Sequence, residues 1–358
     1  MNISQPKVLC FLLDYGIHRG CNLACQYCRT SSLSEKKVFK DDKDLINKYI
    51  KGITNVSRYV DAVMFKTSGW GEITQLPGYK RLFHHAREIG YEVLQLITNG
   101  TVRFTERNLE ELNNLGYFSI QISIDGLTAS ENIYREPKAL RRILYNLELS
   151  LEIGIPIEIN TVLSDANTMS LKPFFDYLLC LREKYNTQLV CVPRRVRVKP
   201  SLNNFSHLPK SNMFDELENI MVNSYSTYEC IFPPKEYLLG LIYYLRNDER
   251  YWKCYDSCVR TNIGSSGDIV IHTKDGNQLL GSIFTDDCSK AFDARYKLHS
   301  VTGDLNYQLK MNQFDIHYMY FSGLISSVEL SKIPSCNSPP AIKRLKYIRD
   351  LIINSVEK

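Results

Sequence analysis

The sequence predicts an α/β fold, a partial (β/α)6 barrel of six strand-then-helix units with a smaller α+β extension at its C-terminal end. Three observations support this. Short apolar runs such as VLCFLL (8–13), VLQLIT (93–98) and IPIEINTVL (155–163) recur along the chain, each followed by a stretch of helical periodicity. Runs this apolar imply parallel strands covered by helices on the outside, not a sandwich. The alternation stops near residue 200, which divides a core of residues 1–210 from a second region of residues 211–358. In parallel β/α folds the working side chains stand at the carboxyl ends of the strands.

The first strand is stopped by Asp14 and Gly16 and feeds the loop Gly20-Cys21-Asn22-Leu23-Ala24-Cys25-Gln26-Tyr27-Cys28. Asp41 and Asp42 suit the first turn of an amphipathic helix over about 41–52. A second strand, 59–66, runs into Thr67-Ser68-Gly69-Trp70-Gly71-Glu72, and Pro77 opens a helix to about Ile89 that Gly90 closes. The third strand ends at Asn99-Gly100, and a helix over about 105–115 ends at Gly116. YFSIQISID (117–125) is the fourth strand, ending at Ser123, Asp125 and Gly126. A helix over about 137–152 then precedes a fifth strand carrying Asn160. A helix over about 170–184 leads to the sixth strand, QLVCV (188–192). Farther on, the polar segment 201–212 reads as a linker or an active-site loop, and helices are expected over about 212–224, 236–246 and 340–354. GDIVIHT and NQLLGSIF form a hairpin turned by Lys274-Asp275-Gly276.

With 358 residues, 44% of them hydrophobic, the chain can bury a large core. A net charge of +5, with both signs interleaved, gives no reason to expect a nucleic-acid partner. Eleven cysteines occur without a leader-like N-terminal run and without the roughly 18 consecutive apolar residues of a membrane span, so a reducing cytoplasm and no membrane are predicted. Cys21, Cys25 and Cys28, spaced C-x3-C-x2-C, supply three thiolates to a four-iron cluster and leave one iron without a protein ligand. A zinc site completed by His18 stays open on spacing alone. Cys10, Cys180 and Cys191 lie in apolar segments and read as buried thiols, while His84 and His85 read as ordinary surface or core residues.

CNLACQYC, together with the strand-end residues that follow it, resembles the radical S-adenosylmethionine (SAM) superfamily over about the first 200 residues. The resemblance implies a [4Fe-4S] cluster on Cys21, Cys25 and Cys28, with SAM chelating the remaining iron and Tyr27 near the adenine. Gly69-Trp70-Gly71-Glu72 is similar to the family's glycine-glycine-glutamate stretch, which holds the SAM amino group, although Trp70 replaces a glycine and Ile73 the customary proline. Ser123 and Asp125 match positions that contact the ribose and the methionine carboxylate, and Arg135 an arginine that pairs with that carboxylate. Asn99 and Asn160 are similar to polar positions lining the SAM or substrate cavity. The activity implied is reductive cleavage of SAM to a 5′-deoxyadenosyl radical that abstracts hydrogen from a substrate, with electrons from a partner such as flavodoxin or ferredoxin.

In the second region, Cys254 before a glycine-containing hairpin and Gly281-Ser282-Ile283 after it resemble a degenerate SPASM or twitch extension, with His272 where that family has a cysteine. Cys254, Cys258, Cys288 and Cys336 suffice for one auxiliary iron–sulfur cluster, and the readings without one and with zinc instead stay open. Arg194-Arg195-Val196-Arg197-Val198-Lys199 reads either as a contact for an acidic group at the barrel mouth or as a solvated edge. Such an extension is frequent among peptide-modifying members, so a ribosomally made peptide is the expected substrate. A small molecule such as an aminosugar or a biosynthetic intermediate is the first alternative, and a non-catalytic iron–sulfur or zinc regulatory protein the second.

Overall fold

Strands β1 (Val8–Tyr15), β2 (Val60–Thr67), β3 (Val93–Thr98), β4 (Phe118–Ser123), β5 (Ile157–Leu163) and β6 (Leu189–Arg195) pair in parallel, each with the next in the chain. The computed structural model describes residues 8–15, 20–28, 43–58, 60–67, 71–91, 93–195, 209–210, 213–233, 235, 238–239, 241–242, 261–263, 268–273 and 276–285. Helices α1 (Lys43–Ser57), α2 (Lys80–Glu88), α3 (Glu106–Asn113), α4 (Leu140–Glu152) and α5 (Leu171–Tyr185) connect the strands, so the expected six-strand β/α order is present.

Strand side chains alternate between two faces. Phe65, Leu94, Leu96, Phe118, Ile120, Ile122, Ile157 and Ile159 turn to the helices and are buried with Leu82, Phe83, Leu109, Ile143, Leu147, Phe174 and Phe175. Phe83 stands edge-on to Phe65 at 5.4 Å and to Phe118 at 5.7 Å, each pair adding about 0.5–1.5 kcal/mol beyond area burial. The opposite face carries Lys66, Gln95, Ser119, Gln121, Glu158 and Asn160, a polar lining for the inside of the barrel.

Local chemistry sets the helix ends. Thr105 caps α3 through its hydroxyl, which accepts from the Asn108 amide. Gly90, Gly116 and Gly154 follow α2, α3 and α4 in the left-handed region, where a side chain would be strained. Helix α2 begins three residues after Pro77, because Leu76 to Tyr79 form a turn, and α1 continues five residues past its expected end, burying Ile53 and Val56. Cys191 is buried, but Cys180 is exposed: Leu178 and Leu181 take the core side of α5 and turn Cys180 outward. His84 bonds Glu111 and His85 bonds Thr54, both in structural surroundings.

The helix expected over 212–224 is in two parts, α6 (Phe214–Glu218) and α7 (Tyr225–Tyr228), separated by a wider π turn at Asn219–Asn223. Phe232, just beyond, packs edge-on to Phe175 at 4.7 Å and ties this segment to α5. β7 (Thr261–Ile263) pairs parallel to β1, and β8 (Asp268–Thr273) with β9 (Gly276–Ser282) makes the antiparallel hairpin. The sheet therefore runs β6-β5-β4-β3-β2-β1-β7-β8-β9. Beyond β9, Ile283 is buried over Gly52, where a methyl group would meet it at 2.7 Å, and its carbonyl accepts from Asn55 on α1. The linker 201–208, the tip Lys274–Asp275 and the helix expected over 340–354 lie outside the described residues.

Candidate functional site

The loop Gly20–Cys28 lies near the carboxyl ends of β2, β3 and β4. Gly20 accepts from the Glu72 amide at 2.8 Å, and the Gln26 amide donates to the Tyr134 carbonyl at 2.8 Å. Cys21, Cys25 and Cys28 gather in one small apolar cluster with Leu23, Tyr27, Val162 and Tyr134. The Leu23 amide and the Asn99 side-chain amide donate to the Cys21 sulfur at 3.4 and 3.6 Å. Burial raises the Cys21 thiol above its usual value and pushes Cys25 up to about 12, against the Arg135 guanidinium, which lowers it. Buried thiolates therefore need positive partners, which iron supplies, and amide N–H groups aimed at sulfur are a feature of iron–sulfur sites. Among the described residues no three His, Cys, Asp or Glu side chains are arranged around one metal ion. A cluster asks for a wider spread, because each thiolate takes a different iron. His18 lies outside the described residues.

Two buried carboxylates fasten this loop. Glu72 is fully buried: one oxygen accepts from the Thr74 amide, the Thr74 hydroxyl and the Thr98 hydroxyl, the other from the Asn99 amide. Burial raises its pKa against those bonds. It thereby caps the short helical turn Ile73–Gln75 and joins the end of β2 to the end of β3. Asn99 receives Thr101 on its oxygen and reaches Asn22 with its amide at 2.9 Å, while Gly100 takes a left-handed turn beneath Ile122 and Ile143.

Asp125 is 2% exposed and uses both oxygens. It accepts from Arg135 Nε and Nη2 at 3.1 Å each, from the Val162 amide at 3.0 Å and from the Tyr27 hydroxyl. The guanidinium stands 5.5 Å from the centre of the Tyr27 ring. Burial alone would lower Arg135, but Asp125, Tyr27 and Cys25 raise it overall, so it stays charged. Burial also lifts the Tyr27 hydroxyl well above its usual value. Tyr27, Asp125 and Arg135 thus form one unit that fixes the last part of the cysteine loop to the end of β4, and their polar atoms are engaged with one another.

Ser123 and Asn160 are register partners on β4 and β5, and Asn160 accepts from Arg194 at 3.2 Å. Gly71 is half-buried beside Glu72, while Gly69 and Trp70 lie outside the described residues, as do Cys254, Cys258, Cys288, Cys336 and the basic residues 196–199. The residues that the sequence did not single out are the buttresses. Asn132 bonds the Asp125 amide at 3.1 Å, and Asn167 donates to the carbonyls of Asp125 and Val162 at 2.8 Å. Glu158 and Gln121 did carry a visible signal, polar residues alternating with isoleucine in mid-strand.

The fold is thus a parallel β/α partial barrel whose first loop gathers three thiols near the strand ends. Residues 15–177 match the model of the radical SAM superfamily. The family implies SAM and a [4Fe-4S] cluster. Over 167 residues the chain is 28% identical to an AdoMet-dependent heme synthase of Methanosarcina barkeri, a match covering 46% of each. Over 210 residues it is 29% identical to the mycofactocin maturase MftC of Mycobacterium tuberculosis, covering 56% of this chain and 46% of the maturase. The chain spans about half the length of the curated relatives it matches. In fold it is similar to native anSMEcpe with bound AdoMet and Kp18Cys peptide, at a TM-score of 0.57 and 16% identity over 98% of this chain and 99% of that one.

Proposed function

We propose that the chain is a radical SAM enzyme in which Cys21, Cys25 and Cys28 hold a [4Fe-4S] cluster, and that its substrate is a peptide. The observation that carries the reading is the gathering of the three thiols into one apolar cluster on a loop fastened at both ends. When bound there, the cluster and SAM would supply the radical chemistry that removes hydrogen from a substrate. The protein would hold the thiolates; it shields Cys25 with Leu23, Tyr27 and Val162, and keeps a permanent cation, Arg135, beside Cys25. SAM is received by the backbone at Gly69 and Gly71 and by Ser123 and Asn160. Tyr27, Glu72, Asn99, Asp125 and Arg135 shape that pocket through the bonds described above.

The peptide reading draws on the maturase relative and the peptide-bound structural neighbour. Similarity to a heme synthase favours the second reading, a small biosynthetic intermediate. We further propose a cytoplasmic setting with a flavodoxin- or ferredoxin-type reductant. Among the described residues no helix is long and apolar enough to cross a membrane. An auxiliary cluster on Cys254, Cys258, Cys288 and Cys336 belongs to the proposal, and anaerobic iron counting tests it: about eight irons per chain are expected, and about four would remove it. Anaerobic incubation with SAM and dithionite should yield 5′-deoxyadenosine. A reconstituted protein that yields none is a binding or regulatory protein. Stimulation of this product by a short peptide encoded beside the gene supports the peptide reading, and stimulation only by small molecules replaces it.

A further inference from the structure

Glu158 stands second in β5, between Ile157 and Ile159, which face the helices, so its own side chain faces the inside of the barrel. That side chain is 0% exposed. One oxygen, Oε1, receives both the Gln121 side-chain amide from β4 and, at 3.5 Å, the Arg194 guanidinium from β6. The other, Oε2, is buried without a hydrogen-bond partner. With both donors crowded on one oxygen, the desolvation of the second, bare oxygen is not offset by any hydrogen bond of its own. The pattern differs from Asp125 and Glu72, where both oxygens are engaged.

The position connects this bare oxygen to the reaction site. Gln121 and Glu158 are register partners, and two residues farther along the same strands lie Ser123 and Asn160. Two residues of strand span about 7 Å. Arg194 joins the two layers, donating to Asn160 at 3.2 Å and approaching Glu158 at 3.5 Å. A group seated on Glu158 would therefore lie one layer beneath the residues proposed to receive SAM. The Arg194 guanidinium already balances the carboxylate charge, so the missing partner is a neutral donor, since a second cation would leave a buried excess charge.

We infer that Glu158 Oε2 is a substrate anchor inside the barrel that takes an amide N–H, the donor a peptide backbone or primary amide supplies. Gln121 and Arg194 hold the carboxylate so that this one oxygen points to the ligand. The inference rests on the peptide reading and names the group of the substrate that is held.

Small amides serve as probes for ligand-detected NMR on the anaerobically reconstituted, SAM-loaded full chain. N-methylacetamide offers the N–H, N,N-dimethylacetamide keeps the carbonyl without it, and methylammonium offers a cation. N-methylacetamide is expected to bind at least ten times more tightly than N,N-dimethylacetamide and to outcompete methylammonium. Glu158→Gln puts an NH2 group where Oε2 stood and should abolish or reverse the preference between the two amides. Equal binding of both amides, no binding of either, preference for methylammonium, or an unchanged ratio in E158Q each overturns the inference. The wild-type comparison stands even if the variant does not fold. Wild-type 5′-deoxyadenosine formation is measured in the same samples, and its absence defeats the radical SAM reading without bearing on how Glu158 selects an amide.

Discussion

Removing Asp125 should destabilise the protein before any cofactor is added. Its carboxylate is buried, accepts four hydrogen bonds and neutralises Arg135, itself 8% exposed. Taking away one member of such a pair leaves an uncompensated buried charge and costs about 3–5 kcal/mol. That is a large part of the 5–15 kcal/mol typical of a whole domain. Tyr27→Phe removes one hydrogen bond to a charged acceptor and should cost about 1.5–3 kcal/mol. The double variant D125A/R135A should cost less than the two single changes added together, by about 0.5–3 kcal/mol, because the second deletion removes the stranded charge. Urea unfolding of iron-free full chain, followed by circular dichroism, measures all three. A loss below about 1 kcal/mol for D125A, or strict additivity, would refute the brace. If R135A instead left stability untouched and weakened SAM binding, Arg135 would return to the role of a carboxylate ligand that the family resemblance suggested.

Three other outcomes can be checked directly. Replacing Cys21, Cys25 or Cys28 by alanine should abolish cluster absorbance and lower bound iron after reconstitution, and full iron retention in any of the three would remove that residue from the ligand set. Burial pushes the Cys191 thiol up to about 12 from 9.0, so its contribution to stability is complete below pH 9 and is lost as pH rises toward 12, where only the unfolded chain releases the proton. Between pH 9 and 10.5 the wild type should therefore lose about 1.5 kcal/mol more than Cys191→Ser, and parallel urea curves for the two proteins would contradict this. Gly100 has φ +72°, and a methyl group there would meet Ile122 at 3.0 Å and Ile143 at 3.1 Å, so Gly100→Ala should cost at least about 1–2 kcal/mol in denaturation experiments. A change within 0.5 kcal/mol would show that the turn relaxes freely.

The barrel was legible because its signals are local. Apolar runs, glycines closing helices and a hydroxyl capping α3 are readable within a few residues, and each of the six β/α strands lies where the pattern puts it. The cysteine loop was legible for the same reason. What each strand-end residue touches was not, since partners are set by pairs far apart in the chain. Asp125 and Arg135 look like independent ligand-contacting residues until the fold brings Tyr27 and Val162 against them. Glu72 looks like a free carboxylate until Thr98 and Asn99 arrive from the next strand. The parallel pairing of β7 with β1 has no local signature at all, because Thr261–Ile263 is too short to show a period.

That last pairing bears on how the protein is made. During synthesis β1 can find β2 early, but its other edge stays bare until Thr261 has left the ribosome and settled beside Leu13. For most of translation the strand that leads into the cysteine loop is thus an open apolar edge, the kind of surface that recruits other chains. A nascent chain stalled before β7 should consequently be aggregation-prone and need chaperone cover.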